Sequence, residues 1–178
     1  MNPLEIIEKY YTKGSELYNI LMNHSIDVKN KALTIAETHP ELNADKTFIE
    51  EASMLHDIGI FLTDAPSIQC FGYEPYIRHG ILGAEILRRE GFPQHALVCE
   101  RHTGAGLTKD EIIQQNLPLP HHDMMPVSIE EQIICFADCF FSKTKLGQEK
   151  TVEKILQKME EHNTRSAIQF KEWSQLFL

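Results

Sequence analysis

The chain has 178 residues, 42% of them hydrophobic and 24% charged, which suits one globular domain with a core of its own. Its formal net charge of −9 argues against an extended nucleic-acid footprint, which needs a basic face, but leaves room for a small anionic substrate met by local charge. No apolar run approaches the ~18 residues of a membrane span, and the start, Met1-Asn2-Pro3-Leu4-Glu5, lacks the basic and apolar pattern of a signal peptide. A cytoplasmic protein that acts on neither membrane nor nucleic acid is expected.

Leu4 to Tyr11 reads as a short helix ending near Gly14. Ser15 caps a long second helix to about Thr38, stopped by His39-Pro40. Its apolar stripe, Leu17, Ile20, Leu21, His24, Val28, Ala32 and Ile35, follows helical spacing with His24 in the middle. A third helix spans about Ala44 to Ile58, with Ile49, Ala52, Leu55 and His56 inward, and Gly59 is expected to stop it in the left-handed region. Residues 61–76 hold two prolines and a glycine and read as an irregular loop.

His79 opens a helix with Leu82, Gly83, Ile86 and Leu87 inward, ended by Gly91. Pro93 suits the first turn of the next, which carries Val98, Cys99 and His102 on one face. Thr108 and Glu111 form a capping box for a short piece to about Gln115. The proline-rich stretch after it, 116–127, is expected to shape a pocket mouth together with 60–77. Ser128 caps a helix that groups Ile134, Ala137, Asp138 and Phe141. A single amphipathic helix closes the chain, from about Glu149 to Trp173. The pattern is all-α.

Cys70, Cys99, Cys135 and Cys139 show no C-x-x-C spacing and read as packed thiols. His121 and His122 sit in a proline-rich loop and read as solvated, and His95 and His162 as surface residues.

His24, His56, Asp57, His79, His102 and Asp138 fall on inward faces of different segments. Each alone has an ordinary explanation, such as a hydrogen-bonded core histidine or a surface residue at a helix start. Together they are hard to bury without cations, because unpaired polar and charged groups cost several kcal/mol or more. His24, His56, Asp57 and Asp138 make a four-ligand set for one ion, and His79 and His102, with Asp57 bridging, a second. Mixed imidazole and carboxylate donors suit iron, manganese, cobalt or zinc rather than calcium or magnesium.

The order His…His-Asp…His…His…Asp resembles the HD-domain superfamily of metal-dependent phosphohydrolases. Leu55-His56-Asp57-Ile58-Gly59 is the HDIG form of its core motif. Arg78-His79-Gly80 with Gly83, Glu100-Arg101-His102-Thr103-Gly104 and Ala137-Asp138 match the motifs around its later ligands. Arg101-His102-Thr103-Gly104-Ala105-Gly106-Leu107-Thr108 looks like a small HDIG subgroup of short prokaryotic proteins. The cyclic-di-GMP phosphodiesterase branch is excluded: it carries a lysine soon after the doublet and a Gly-Tyr-Pro word, where this chain has Ile60-Phe61 and Gly72-Tyr73-Glu74.

The resemblance implies a single HD-type helical bundle over residues 1–178, with its core at about 15–146 and the last helix, about 149–174, packed on it. It implies one or two divalent transition-metal ions, iron first and manganese, zinc, cobalt or nickel as substitutes. The presence of both His79 and His102 points to the dinuclear subset. The implied activity is hydrolysis of a small phosphate ester or anhydride, such as a nucleotide-like metabolite, by a metal-activated hydroxide that Asp57 orients. Arg78, Arg101 and Lys143, near ligands in sequence, are the expected phosphate holders. The alternatives are a di-iron oxygenase on the same scaffold and a non-enzymatic metal-binding ligand sensor. Oligomeric state is not legible.

Overall fold

The computed structural model describes residues 1–178. Nine α-helices carry the fold: α1 (Pro3–Tyr10), α2 (Glu16–Thr38), α3 (Lys46–Leu55), α4 (His79–Arg89), α5 (Pro93–Arg101), α6 (Lys109–Gln114), α7 (Ile129–Asp138), α8 (Val152–His162) and α9 (Thr164–Phe177). The expected starts hold because each cap finds its backbone donor. Ser15 accepts from the Tyr18 amide, Ser128 from that of Glu131, and Thr108 and Glu111 close a reciprocal capping box. No helix is long and apolar enough to cross a membrane.

Three expectations are corrected. The segment read as a loop over 61–76 contains a two-residue antiparallel pair, β1 (Asp64–Ala65) with β2 (Cys70–Phe71), between short 3₁₀ turns. The closing helix is two helices. Asn163 is extended at φ −159° and ψ 100°, and its side chain accepts from the Ser166 amide to cap α9. A capping side chain that competes with the helix backbone explains a break that apolar periodicity does not register.

Gly59 is not in the left-handed region either: its φ is −83°. A Cβ there would lie 2.4 Å from both the Gly83 nitrogen and the His79 carbonyl oxygen. The glycine lets the turn after α3 approach the backbone of α4, rather than ending the helix by its dihedral angle. Gly80 does the same between α4 and α5, where a Cβ would meet the Cys99 carbonyl oxygen at 2.5 Å.

Helix α2 packs on α3 and α7, α4 on α5, and α8 on α9. The interior has two large apolar clusters. One gathers Val28, Ala52, Val98, Phe136, Phe170 and Phe177. The other gathers Leu21, Leu55, Ile58, Ile86 and Cys99. The chain passes from one cluster to the other between Leu21 and Val28, between Ala52 and Leu55, and between Val98 and Cys99. His24, His56 and His102 lie in or next to those crossings, so the polar residues occupy the seam between two hydrophobic bodies. Phe136 lies 4.9 Å from Phe170 and 5.4 Å from Phe177, ring centre to ring centre, which fastens α9 to α7.

Candidate metal centre

Helix α2 supplies His24, the end of α3 supplies His56 and Asp57, α4 begins with His79, His102 follows α5, and Asp138 ends α7. The structure therefore brings together all six residues singled out in the sequence. Their donor atoms form two groups, His24–His56–Asp57–Asp138 and Asp57–His79–His102, each with its atoms within 4.8 Å of one another.

Asp57 joins the groups with one oxygen apiece. Its Oδ2 lies 3.2 Å from His24 Nε2 and 3.1 Å from His56 Nε2. Its Oδ1 lies 3.4 Å from the Nε2 atoms of His79 and His102. Asp138 Oδ1 completes the first group at 2.9 Å from His24 Nε2 and 3.4 Å from His56 Nε2.

The tautomers follow from the opposite side of each ring. His56 Nδ1 is 2.7 Å from the Ser53 carbonyl oxygen, His79 Nδ1 2.7 Å from that of Tyr76, and His102 Nδ1 2.7 Å from that of Cys99. A carbonyl oxygen only accepts, so each Nδ1 carries a proton, and each Nε2 faces inward as the nitrogen available to an ion once any proton on it has left. This backbone support of the distal nitrogen is how metal-bound imidazoles are oriented.

His56 Nε2 and both carboxylate oxygens of Asp57 are fully buried without an aligned hydrogen-bond donor. Polar atoms so enclosed and so close, yet aimed at shared points instead of at one another, fit a pair of cations. Without a cation the cluster is electrostatically divided. Burial pushes the His56 imidazole down, but Asp57 and Asp138 outweigh it and lift it to about 10. Burial and the facing His102 push His79 down to about 3. Burial also opposes ionisation of Asp57, yet His56 and Lys143 hold its carboxyl well below the usual range.

Of the three expected phosphate holders, Lys143 is at the cluster, with Nζ 2.6 Å from Asp57 Oδ2. The arginines make their contacts elsewhere. Arg101 pairs with Glu131 at 2.9 Å, and Arg78 with Glu74 and the Pro118 carbonyl, each at 2.6 Å. Sequence reasoning missed Tyr76, which stacks on His79 with ring centres 4.6 Å apart and 19° between planes. It also missed that His95 is buried against Phe48, 3.1 Å from Glu51. Nothing in the local pattern marks either residue. His121 and His122 are exposed, as expected, and His122 meets Glu100 at 2.8 Å.

The cluster opens at Asp138, which lines two clefts. One, of about 370 Å³, is walled by Ser67, Ile68, Tyr76 and Lys143, so the 60–77 segment does shape a mouth. The other, of about 390 Å³, runs between α8 and the turn at Thr103–Gly106. Residues 116–127 line neither; that segment instead holds Arg78 and packs Leu119 and Met124 against Ile112.

Residues 21–143 match the HD domain family, and the chain belongs to it. It is 34% identical over 143 residues to an uncharacterized protein of Methanocaldococcus jannaschii, covering 79% of this chain and 75% of that one. It is 36% and 30% identical to proteins named tRNA (cytidine(56)-2'-O)-methyltransferase from Thermoplasma volcanium and Picrophilus torridus. Those matches cover 80% and 87% of this chain but only 36% and 40% of the longer relatives. The fold is similar to the HD domain of the phosphodiesterase PgpH of L. monocytogenes, with a TM-score of 0.55, 19% identity and coverage of 96% of this chain and 93% of that one. The same domain in complex with cyclic-di-AMP matches with a TM-score of 0.55 at 18% identity, over 97% of this chain and 94% of that one.

Proposed function

We propose that the protein is a metal-dependent phosphohydrolase that acts on a small phosphate ester or anhydride at a dinuclear centre. The observation that carries this reading is the Asp57 carboxylate, which turns one oxygen to each of two groups of inward-facing imidazole Nε2 atoms. His24, His56 and Asp138 would hold the first ion, His79 and His102 the second, with Asp57 between them. Iron is the first choice for such a donor set, and manganese, zinc, cobalt or nickel substitutes. When bound, a divalent pair supplies an ionised water as nucleophile near neutral pH and offsets charge developing on the phosphoryl oxygens.

The chain's own residues set the rest. Asp57 would set the spacing of the two positions and help orient the attacking water. Backbone carbonyls of Ser53, Tyr76 and Cys99 hold the Nδ1–H of their imidazoles, which leaves Nε2 of each ring turned toward the ion positions. Lys143 lines the cleft at Asp138 and is the cation placed to hold a non-bridging phosphoryl oxygen. In the metal-free protein its ammonium is pushed above its ordinary range, because Asp57, Tyr76 and Asp138 outweigh its burial. Arg78 and Arg101, engaged by carboxylates, brace the start of α4 at His79 and the end of α5 before His102.

Residues 1–178 form a single functional HD unit in this reading, with the helices after residue 146 packed on the core. The methyltransferase activity named for two relatives is taken to reside in the portion of their chains outside the match. The deciding experiment loads the protein with iron, manganese or zinc and follows phosphate release from a panel of nucleotides and dinucleoside polyphosphates, with oxygen consumption in parallel. Metal-dependent phosphate release is the expected result. Substrate-dependent oxygen uptake without it would replace the hydrolase by a di-iron oxygenase.

A further inference from the structure

Asp138 is the only one of the six cluster side chains with appreciable solvent contact, at 18% exposure against 7% or less for the others. The two clefts meet there: Asp138, Phe141 and Lys150 line both. The cleft beneath α8 has a particular electrostatic character. Lys154, Lys158 and His162 face it from one stripe of the helix, spaced by four residues and spanning ~12 Å along the axis. Lys150 joins them from just before the helix, and the acids of α8, Glu153, Glu160 and Glu161, lie outside the cleft lining.

None of Lys150, Lys154 and Lys158 has a carboxylate within 4.0 Å; Lys46, Lys109, Lys145 and Lys171 are unpaired too, but none of those four lines either cleft, so the cleft beneath α8 is where unpaired ammonium groups gather. Lys150 is half-buried; burial pushes its ammonium down, Asp138 works the other way, and Lys158 and Lys143 push it further down. An anion among these lysines would offset that mutual repulsion.

We infer that the cleft beneath α8 receives a second phosphate of the substrate, so that the substrate class is a small molecule with at least two phosphate groups separated by an uncharged spacer. The inference rests on the phosphohydrolase reading and deepens it. The reacting phosphate lies at the Asp57–Asp138 cluster beside Lys143, the spacer crosses Phe141, and the remote phosphate meets Lys154 and Lys158. Each cleft is of small-molecule size.

The test is equilibrium binding to the metal-loaded protein of a diphosphonate with a hexamethylene spacer, whose carbon–phosphorus bonds resist hydrolysis, against the matching monophosphonate. Wild type is expected to prefer the diphosphonate by roughly tenfold or more, the scale of one good charge-assisted contact. The variant Lys154→Gln/Lys158→Gln should bring that ratio to within about twofold at unchanged metal content and melting temperature. The charge-matched control Lys46→Gln/Lys171→Gln, exposed and outside both clefts, should keep the full ratio. No preference in wild type, or a preference that survives the double variant, overturns the inference. So does tighter binding of a phosphorylated RNA oligonucleotide that the same variant abolishes, since the cleft would then track a strand. Phosphate release from the nucleotide panel without a diphosphonate preference removes this inference and leaves the hydrolase. A preference without phosphate release removes the hydrolase and leaves the second anion site.

Discussion

The Nε2 atoms of His79 and His102 face one another 3.0 Å apart, while the Nδ1 of each ring is committed to a backbone carbonyl. Two lone pairs at that distance repel unless a proton or a metal ion stands with them. Burial and the facing His102 hold His79 down to about 3, which disfavours the proton at neutral pH. The close contact is made possible by Gly80, whose missing side chain allows α4 to meet the Cys99 carbonyl of α5. A backbone approach thus sets the spacing of a ligand pair.

Metal affinity should rise with pH. Without metal, His56 retains a proton, because Asp57 and Asp138 overcome the burial that opposes it and raise it to about 10. That proton must leave before Nε2 can bind an ion. Below about pH 10 each unit of pH should therefore tighten binding at the first position, by about tenfold if one proton is displaced. Competition with a chelator of known affinity at pH 6, 7 and 8 measures the slope. A pH-independent affinity would contradict the assignment of His56 as a ligand.

The two positions should separate by mutation. Asp57→Ala should empty both and abolish phosphate release. His102→Ala should empty mainly the position shared with His79, leaving close to one ion per chain. Metal analysis beside turnover decides. Metal content and turnover equal to wild type in the His102→Ala protein would remove His102 from the second position, and one ion per chain in both proteins would make the centre mononuclear.

Local chemistry made much of this visible in the sequence. Caps at Ser15, Thr108 and Ser128 announce their helices through a side-chain oxygen and a nearby amide. His24 interrupts an otherwise apolar stripe, and the order of the six polar residues matches a known motif. What stayed hidden depends on distant parts of the chain. Gly59 looks like a helix stop until Gly83 is seen against it, and Arg101 looks like a phosphate holder until Glu131 is seen to occupy it. The place of the α8 lysines is likewise hidden, because nothing local reveals that the helix roofs a cleft beside Asp138.

Gly59→Ala should destabilise the protein by about 3 kcal/mol, the upper end for overpacking, since the added carbon would meet backbone atoms that cannot rotate away. The denaturant midpoint should fall at unchanged slope. An alanine variant as stable as wild type would show that α4 can shift away from the turn, and with it the spacing of His79 to Asp57.

Acid should loosen α9 by a route independent of the metal. Glu111 binds Arg165 at 2.7 Å and Asn163 at 2.8 Å, and Arg165 also donates to the Gly106 carbonyl at 2.7 Å. Burial works to raise the Glu111 carboxyl, but Arg165, the Thr108 amide and Asn163 prevail and lower it to about 2. A lowered carboxyl contributes stability above its unfolded value, near 4.5, and loses it as pH falls toward 2. In metal-free protein, wild type should lose its stability advantage over Glu111→Gln across that window. A constant difference between the two would mean that Glu111 titrates normally.

Lys143→Gln should separate the lysine's structural duty from its proposed work on the substrate. In metal-free protein its ammonium is the cation nearest the fully buried Asp57 carboxylate, at 2.6 Å. Removing one partner of a buried pair costs about 3–5 kcal/mol, so the melting temperature of the metal-free variant should fall clearly. Ions on Asp57 would take over that neutralisation, so the metal-loaded variant should melt closer to wild type and hold the same metal content. Its kcat/KM for phosphate release should still drop by roughly tenfold, the loss of one charge-assisted contact to the phosphoryl group. Unchanged kcat/KM together with a lower metal-free melting temperature would confine Lys143 to balancing Asp57 and leave the substrate to other cations.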